Sequence, residues 1–336
     1  MTAAASRDNR IDFVKGMLVL AMAIDHWLGY CVSGRPMLYQ YVDYVAETFI
    51  FYSGFMCGTV YLGKYLADKN YVKPRLLYRG LRIFAMFFIL NLIIQTFLGR
   101  RLYSGTESGA AMIMNNLSTI FFWGDDRMVS FSILLPISYL LIICSHIFWS
   151  ARYKYFLLAF IIAAFAACSI MDVNPTYNIK ALSIGIGGFF TGTIMSQAAV
   201  KINKALYGTI IIALLAVYFI VLVPLRFNAS SIFYYYLLIN IVVAGLSFIG
   251  GYIKANNIIS KSILIFGQYS LFLYMFQIFF LQVINRLGYE KSDAIGIKEV
   301  CVFAALNLCS VGASILLSNI RNYSLPFDKA YRSVLS

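Results

Sequence analysis

The chain has 336 residues, of which 61% are hydrophobic and only 12% are charged, and its mean hydropathy is +0.78. Soluble domains average about 45 to 50% apolar and about 25% charged residues, so this composition excludes a soluble protein and indicates an integral membrane protein. The net charge of +13 would suit nucleic acid or anionic lipid as a partner, so its distribution along the chain decides its meaning.

Ten apolar stretches, each about as long as one bilayer span, follow one another along the chain. They run at 11–31, 44–63, 81–99, 128–149, 154–171, 181–199, 206–225, 231–250, 262–285 and 299–319. The polar breaks between them leave no room for a soluble domain. The sequence therefore predicts an all-α polytopic membrane protein of about ten transmembrane helices, with residues 1–336 as a single domain. The segment 108–123 is too short and polar to cross and is predicted to be interfacial or re-entrant.

Most Lys and Arg residues fall in the alternate loops that include the two ends of the chain. Because basic residues in short loops stay in the cytoplasm, both termini are predicted to be cytoplasmic. The positive charge is then mainly an orientation signal, so membrane lipids are expected as partners and nucleic acid is not. The first apolar run is too long for a signal peptide and is predicted to be a retained helix. Six cysteines without a C-x-x-C pair and only two histidines predict no metal site.

Ionisable side chains inside a span cost at least a few kcal/mol, so each one is a candidate for function. Asp12, Lys15, Asp25 and His26 lie in the first apolar stretch, and Glu47 lies in the second. Eleven residues separate Lys15 from His26, so on an ideal helix they share one face at depths about 16 Å apart. Glu47 is expected near the depth of His26. A carboxylate beside an imidazole fixes its tautomer, which predicts His26 as a general base with Glu47 or Asp25 as its partner.

Simpler explanations compete with this interpretation. Asp12 and Lys15 can form a local ion pair at the inner interface. His26 and Trp27 can be an interfacial pair at the outer surface. The other histidine, His146, has no carboxylate in its segment and is assigned no role.

A basic stretch runs from residue 64 to 82, where the hydropathy pattern predicts a cytoplasmic loop leading into the third helix. Within it, Arg75, Arg79 and Arg82 follow i, i+4, i+7 spacing, which aligns them along one helical face. Guanidinium groups bind phosphate oxygens in pairs, so the stripe suits a phosphate-bearing ligand. The alternative is an orientation signal that also contacts anionic headgroups.

Two weaker patterns lie further along the chain. The glycines at 185, 187, 188 and 192 imitate a dinucleotide-binding loop, but no strand precedes them, so they predict close helix packing instead. Tyr235 stands among three consecutive tyrosines near Arg226, where an aromatic belt is expected and stacking on a sugar is the alternative.

Three motifs in the first hundred residues occur in a familiar order. "RDNRIDFVKGMLVLAMAIDHW", then "AETFIFYSGFMCG", then "YRGLRI" resemble the OpgC-type membrane acyltransferases of the acyltransferase family 3 superfamily. The resemblance implies transfer of an acyl group from cytoplasmic acyl-CoA to a hydroxyl at the outer face, usually on a glycan. It also implies that His26 is the catalytic histidine, that Glu47 is the acid before Ser-Gly-Phe, and that Arg79 and Arg82 serve donor binding.

The sequence departs from the family pattern at two places. Lys15 stands where the family usually has arginine, which keeps the charge but loses the bidentate fork. Met275 and Gln277 stand near the position where many relatives have a second histidine.

Together these observations predict an acyl-CoA-dependent O-acyltransferase, multi-pass in a bacterial inner membrane, with acetyl-CoA or succinyl-CoA as donor and a periplasmic or surface glycan as acceptor. The predicted catalytic residues are His26, Glu47 and Asp25. The predicted donor-binding residues are Lys15, Arg75, Arg79 and Arg82. The predicted acceptor-binding residues are Arg127, Tyr235 and Arg226, of which the arginines could also pair with a succinyl carboxylate. The competing class is a transporter or flippase that binds an anionic or lipid-linked solute through the same charges.

Overall fold

A computed structural model describes residues 8–34, 36–62, 69–97, 120–121, 130–147, 177–197, 204–225, 232–253 and 256–335. In these residues the regular structure is helical, apart from one isolated β-bridge between Val32 and Ser292. The α-helices are α1 Asn9–Cys31, α2 Val45–Met56, α3 Lys69–Phe97, α4 Leu134–Ile147, α5 Tyr177–Gln197, α6 Lys204–Val217, α7 Ile232–Gly250, α8 Ile258–Gln268, α9 Ser270–Arg286, α10 Ile297–Tyr323 and α11 Leu325–Leu335. The all-α prediction is confirmed.

Three short segments complete these helices. A 3₁₀ helix, Met37–Tyr41, precedes α2. A π-helical segment, Cys57–Tyr61, continues α2, and a second one, Tyr218–Leu222, continues α6 into a final turn, Val223–Leu225.

Three stretches are long and apolar enough to cross a membrane by themselves: Val72–Ile94, Tyr177–Ser196 and Ile297–Tyr323. A fourth candidate is the pair α8 and α9, which passes the same test only when the two helices are taken together. Length and composition therefore give three or four spans among the described residues. The number ten stays a prediction, and the predicted stretch 154–171 and residues 108–119 lie outside the described residues.

The structure corrects one predicted helix boundary and shows a bend inside another predicted stretch. The basic stretch is not a loop up to residue 82, because α3 begins at Lys69 and carries all three arginines of the stripe. The first turns of α3 are charged, and a charged turn forms the same backbone hydrogen bonds as an apolar one. The hydropathy pattern does not detect such turns, so it placed the start of this helix at residue 81. The predicted stretch 262–285 is divided between two helices, because α8 and α9 meet at an angle of 90°. Both arms are apolar, so hydropathy runs through the bend unchanged.

The chain divides into two compact units, residues 1–48 with 201–335 and residues 49–200. In the first unit, α1 packs against α7, α8, α9 and α10. The contact with α8 is very close: a Cβ added to Gly16 would lie 2.0 Å from the carbonyl oxygen of Ile263, and one added to Gly267 would lie 1.7 Å from that of Asp12. Only glycine allows these backbones to approach so closely.

In the second unit, α3 packs on α4, and α5 packs on α4 and on the π-helical segment after α2. The glycine-rich face of α5 meets the glycines of the α2 region. A Cβ added to Gly188 would lie 2.0 Å from the carbonyl oxygen of Phe51, and one added to Gly54 would lie 1.9 Å from that of Gly185. The predicted close helix packing is confirmed, and the resemblance to a dinucleotide loop is accidental.

The amphipathic helix α11 is tied to α10 and to the bend between α8 and α9. The guanidinium of Arg321 donates to the Asp328 carboxylate, with Nη2 2.7 Å from Oδ1. The same guanidinium carbon lies 4.3 Å from the ring centre of Tyr331 and 5.5 Å from that of Tyr269, the residue at the bend. One arginine therefore connects three elements of the first unit.

Candidate active site

The carboxyl-terminal end of α1, which carries His26, is bonded to the first turn of α10 and to the segment before it. The indole N–H of Trp27 donates to the backbone carbonyl of Glu299 at 2.9 Å. In the same turn of α1, the carbonyl of Gly29 accepts a hydrogen bond from the Lys291 ammonium at 2.6 Å. These bonds, together with the ring contact between Trp27 and Phe303, hold the helical turn after His26 against α10 and Lys291.

His26 has a carboxylate on one side of its ring. Its Nδ1 lies 3.6 Å from Oδ2 of Asp25, and the two side chains are 20% and 19% exposed. The ring centre of Tyr274 on α9 lies 5.8 Å away. Within the described part of the chain, the buried Nε2 has no hydrogen-bond partner. A carboxylate facing Nδ1 favours the tautomer with the proton there, which leaves a lone pair on Nε2 for proton abstraction.

Two further carboxylates of the first unit lie within electrostatic reach of Asp25. The charges of Glu47 and Asp43 both act on Asp25. Glu47 is buried, with 7% of its surface exposed, whereas Asp43 is exposed. Tyr235 on α7 interacts electrostatically with the same two acids. The structure therefore brings together four of the residues selected from the sequence: Asp25, His26, Glu47 and Tyr235.

The arginine stripe belongs to the second unit. The buried side chains of α3 recur at helical spacing and face α4. The arginines lie beside that face: Arg75 and Arg82 are exposed and Arg79 is half-buried. Nη1 of Arg79 donates to the Tyr61 hydroxyl at 2.7 Å, so one edge of its guanidinium is held in place.

The other predicted binding residues are distributed differently. Lys15 is a half-buried residue of α1 in the first unit. Arg127 and Arg226 lie outside the described residues, so their predicted role is untested. Among the residues that the structure describes, no three His, Cys, Asp or Glu side chains are placed to hold a metal ion, and the five cysteines found there are free thiols.

Comparison with known proteins decides the family. The acyltransferase family 3 model, described as "Acyltransferase domain", matches residues 8–319, which is nearly the whole chain. The chain belongs to this acyltransferase family. No curated protein and no solved structure matches the chain. The protein is thus a membrane acyltransferase, and the cluster around His26 is its candidate active site.

Glu299 is a buried residue of this acyltransferase that the sequence did not single out. It is 3% exposed, its Oε2 accepts from the Gly296 N–H at 2.8 Å, and its Oε1 accepts from the Tyr289 hydroxyl at 3.0 Å. Desolvation, and then the hydrogen bond to Glu299, raise the pKa of the Tyr289 phenol well above its ordinary value, so Tyr289 stays a donor. The signal was available: an acid three residues after the helix-capping position is typical of a helix start.

Two further polar residues of the acyltransferase contrast with each other. Gln277 on α9 is fully buried; its Nε2 donates to the carbonyl of Val19 at 3.4 Å, and its Oε1 has no partner in the described structure. His146 on α4 is exposed, and its Nδ1 lies 2.9 Å from the carbonyl of Ile142 in its own helix. The sequence gave neither residue a role, and only Gln277 has surroundings that call for one.

Proposed function

We propose that this membrane acyltransferase is an acyl-CoA-dependent O-acyltransferase of a bacterial inner membrane. It transfers an acetyl or succinyl group from cytoplasmic acyl-CoA to a hydroxyl of a periplasmic or surface glycan. The observation that carries the proposal is the geometry at His26, whose Nδ1 lies 3.6 Å from Asp25 while no group among the described residues hydrogen-bonds to Nε2. The OpgC-type motifs of the first hundred residues favour a glycan as the acceptor.

The proposed chemistry is one acyl transfer. His26 Nε2 takes the proton of the acceptor hydroxyl as its oxygen attacks the thioester carbonyl carbon, so that a C–O bond forms. The C–S bond then breaks, and the leaving thiolate takes the proton back from Nε2 to give free CoA and an ester. Asp25 and Glu47 stabilise the imidazolium that forms between the two steps. No oxidant or other co-reactant is needed.

Donor binding is assigned to the basic residues. Arg75, Arg79 and Arg82 bind the phosphates of acyl-CoA, since forked guanidinium groups match phosphate oxygens. The hydrogen bond from Arg79 to Tyr61 supports this role because it orients the fork before the ligand arrives. Lys15 adds a further cation on the helix of His26. About ten spans with both termini in the cytoplasm would place Lys15 at the inner surface, and the flexible pantetheine arm would cover the depth of about 16 Å between Lys15 and His26.

Reconstitution tests this function directly. Full-length protein in proteoliposomes is given radiolabelled acetyl-CoA or succinyl-CoA, together with the glycan fraction extracted from the envelope of a deletion strain. We expect label in the glycan and an equal amount of free CoA. A transporter or flippase would move a solute without cleaving the thioester. The proposal is therefore overturned if acetyl-CoA and succinyl-CoA both remain intact.

A further inference from the structure

Two buried hydrogen-bond acceptors lie in the contact between α1 and α9 of the first unit. Across the described residues, three buried side-chain atoms lack a hydrogen-bond partner, and two of them are His26 Nε2 and Gln277 Oε1. Buried polar atoms are almost always paired, because leaving one unpaired costs about 1 to 3 kcal/mol. Two such atoms in one helix contact, one of them on His26 itself, require an explanation.

The orientation of the Gln277 amide follows from its neighbour on α1. The carbonyl oxygen of Val19 can only accept, so the side of the amide facing it must be the NH₂ group, as the 3.4 Å contact has it. Oε1 therefore points away from that carbonyl as a pure acceptor. Because the side chain is fully buried, bulk water does not satisfy it.

The orientation of His26 follows in the same way. The Asp25 carboxylate near Nδ1 favours a proton on that nitrogen, so Nε2 is an acceptor too. Tyr274, whose ring lies 5.8 Å from that of His26, is three residues before Gln277 on α9. Residues three apart share a helix face, so α9 presents Gln277 on the same face as the neighbour of His26.

A ligand that satisfies both atoms must bring hydrogen-bond donors. We propose that Gln277 is an acceptor-binding residue: the reacting hydroxyl of the glycan donates to His26 Nε2, and a neighbouring hydroxyl of the same sugar donates to Gln277 Oε1. This assignment rests on the proposed O-acyl transfer and narrows its substrate class. The sugar at the reacting position carries a free hydroxyl next to the one that is acylated. A carboxylate or phosphate has no donor to offer and would meet the charges of Asp25, Glu47 and Asp43.

The test compares two glutamines on one helix. Gln277→Met removes the acceptor oxygen with little change in length, and Gln282→Met is the matched control, because buried Gln282 donates to the Tyr30 hydroxyl in an ordinary structural bond at 3.2 Å. Both full-length variants are assayed in proteoliposomes with labelled acetyl-CoA and succinyl-CoA and the envelope glycan fraction of the deletion strain. We expect Gln277→Met to raise KM for the glycan about 10- to 100-fold and to leave KM for acyl-CoA unchanged. Gln282→Met should change either KM less than about threefold.

Gln277→Asn is a second variant in case the methionine variant does not accumulate. It keeps the amide but withdraws its oxygen by one methylene, and it should shift KM for the glycan in the same direction. An unchanged KM for the glycan would overturn the assignment. A raised KM for acyl-CoA alone would overturn it too, since Oε1 would then accept from an amide N–H of the pantetheine arm. If the wild-type protein transfers no label at all, the proposed function itself fails, and the assignment fails with it.

Discussion

The two histidines of this acyltransferase lie on apolar helices, yet their surroundings differ completely. His146 on α4 is exposed, and its Nδ1 is already satisfied by the carbonyl of Ile142 and the hydroxyl of Ser145 in its own helix. His26 on α1 has a carboxylate 3.6 Å from one ring nitrogen and, in the part of the chain that the structure describes, no hydrogen-bond partner at the other. The neutral carbonyl and hydroxyl beside His146 do little to stabilise an imidazolium, whereas the carboxylate beside His26 stabilises the imidazolium that forms when Nε2 takes a proton.

The largest expected effect comes from replacing each of the two histidines in turn. His26→Ala should lower the rate of acyl transfer about 10²- to 10⁴-fold, because it removes the general base. His146→Ala should change the rate less than twofold. Both are measured as label transferred to glycan in proteoliposomes, at matched amounts of folded protein. Equal losses in the two variants would mean that their surroundings do not matter.

The second prediction removes the carboxylate that distinguishes the two sites. Asp25→Asn should lower kcat about 10- to 100-fold, because the neutral amide no longer favours the proton on Nδ1 or stabilises the imidazolium. Glu47→Gln should lower kcat as well, but less than Asp25→Asn, since Oδ2 of Asp25 lies 3.6 Å from Nδ1 of His26.

Asp43→Asn is the control for this pair, because Asp43 is exposed and acts on Asp25 only through its charge. It should change kcat by no more than a few-fold. A larger loss in Asp43→Asn than in Asp25→Asn would contradict the assigned order of the three acids.

The sequence predicted the His26 cluster from the cost of charge inside an apolar stretch. That argument needs no coordinates, and it found Asp25, His26 and Glu47, which the structure gathers in one unit. It could not say which acid contacts the ring, because helix spacing gives the direction of a side chain but not its distance from another helix. The sequence singled out Gln277 only as a departure from the family pattern and assigned it no role, because an uncharged amide in an apolar run shows its unpaired oxygen only when hydrogen bonds are counted.

The fold shows the same division. The start and end of α1, Asn9 and Cys31, agree with the predicted stretch 11–31 to within two residues, because hydropathy marks the ends of an apolar run well. The bend at Tyr269 and the early start of α3 at Lys69 were missed, because the direction of a helix and the extent of a charged helical turn leave no mark in hydropathy.

The third prediction tests whether the close packing of α1, the helix of His26, on α8 stabilises the protein. Gly16→Ala should destabilise the protein by about 1 to 3 kcal/mol, because its methyl group would overlap the backbone of Ile263. At Gly29 on the same helix, no described residue outside the adjoining helical turn has an atom within 4 Å of the new methyl group, so Gly29→Ala should be neutral or slightly stabilising. Unfolding in detergent measures both, and equal stabilities would show that α1 and α8 can separate without cost.

The smallest expected effect lies in the second unit, the unit of His146. Arg79→Lys should raise KM for acyl-CoA about 3- to 10-fold with kcat unchanged, because lysine keeps the charge but loses the forked contact with phosphate. Tyr61→Phe should give a smaller rise, since it only releases one edge of the guanidinium. A fall in kcat with constant KM would show that Arg79 serves the chemical step instead.

The contacts of Arg321 connect residues 325–335 to the bend between α8 and α9. The guanidinium that pairs with Asp328 also covers the rings of Tyr331 and Tyr269, and Tyr269 is the hinge point from which α9 departs with Tyr274 and Gln277. Residues 325–335, more than forty positions after Gln277, thus stabilise the bend at Tyr269, which sets the direction of α9 relative to α1. A bulky tag fused directly to α11 would pull on these contacts, so an affinity handle on this acyltransferase is better joined through a long flexible linker.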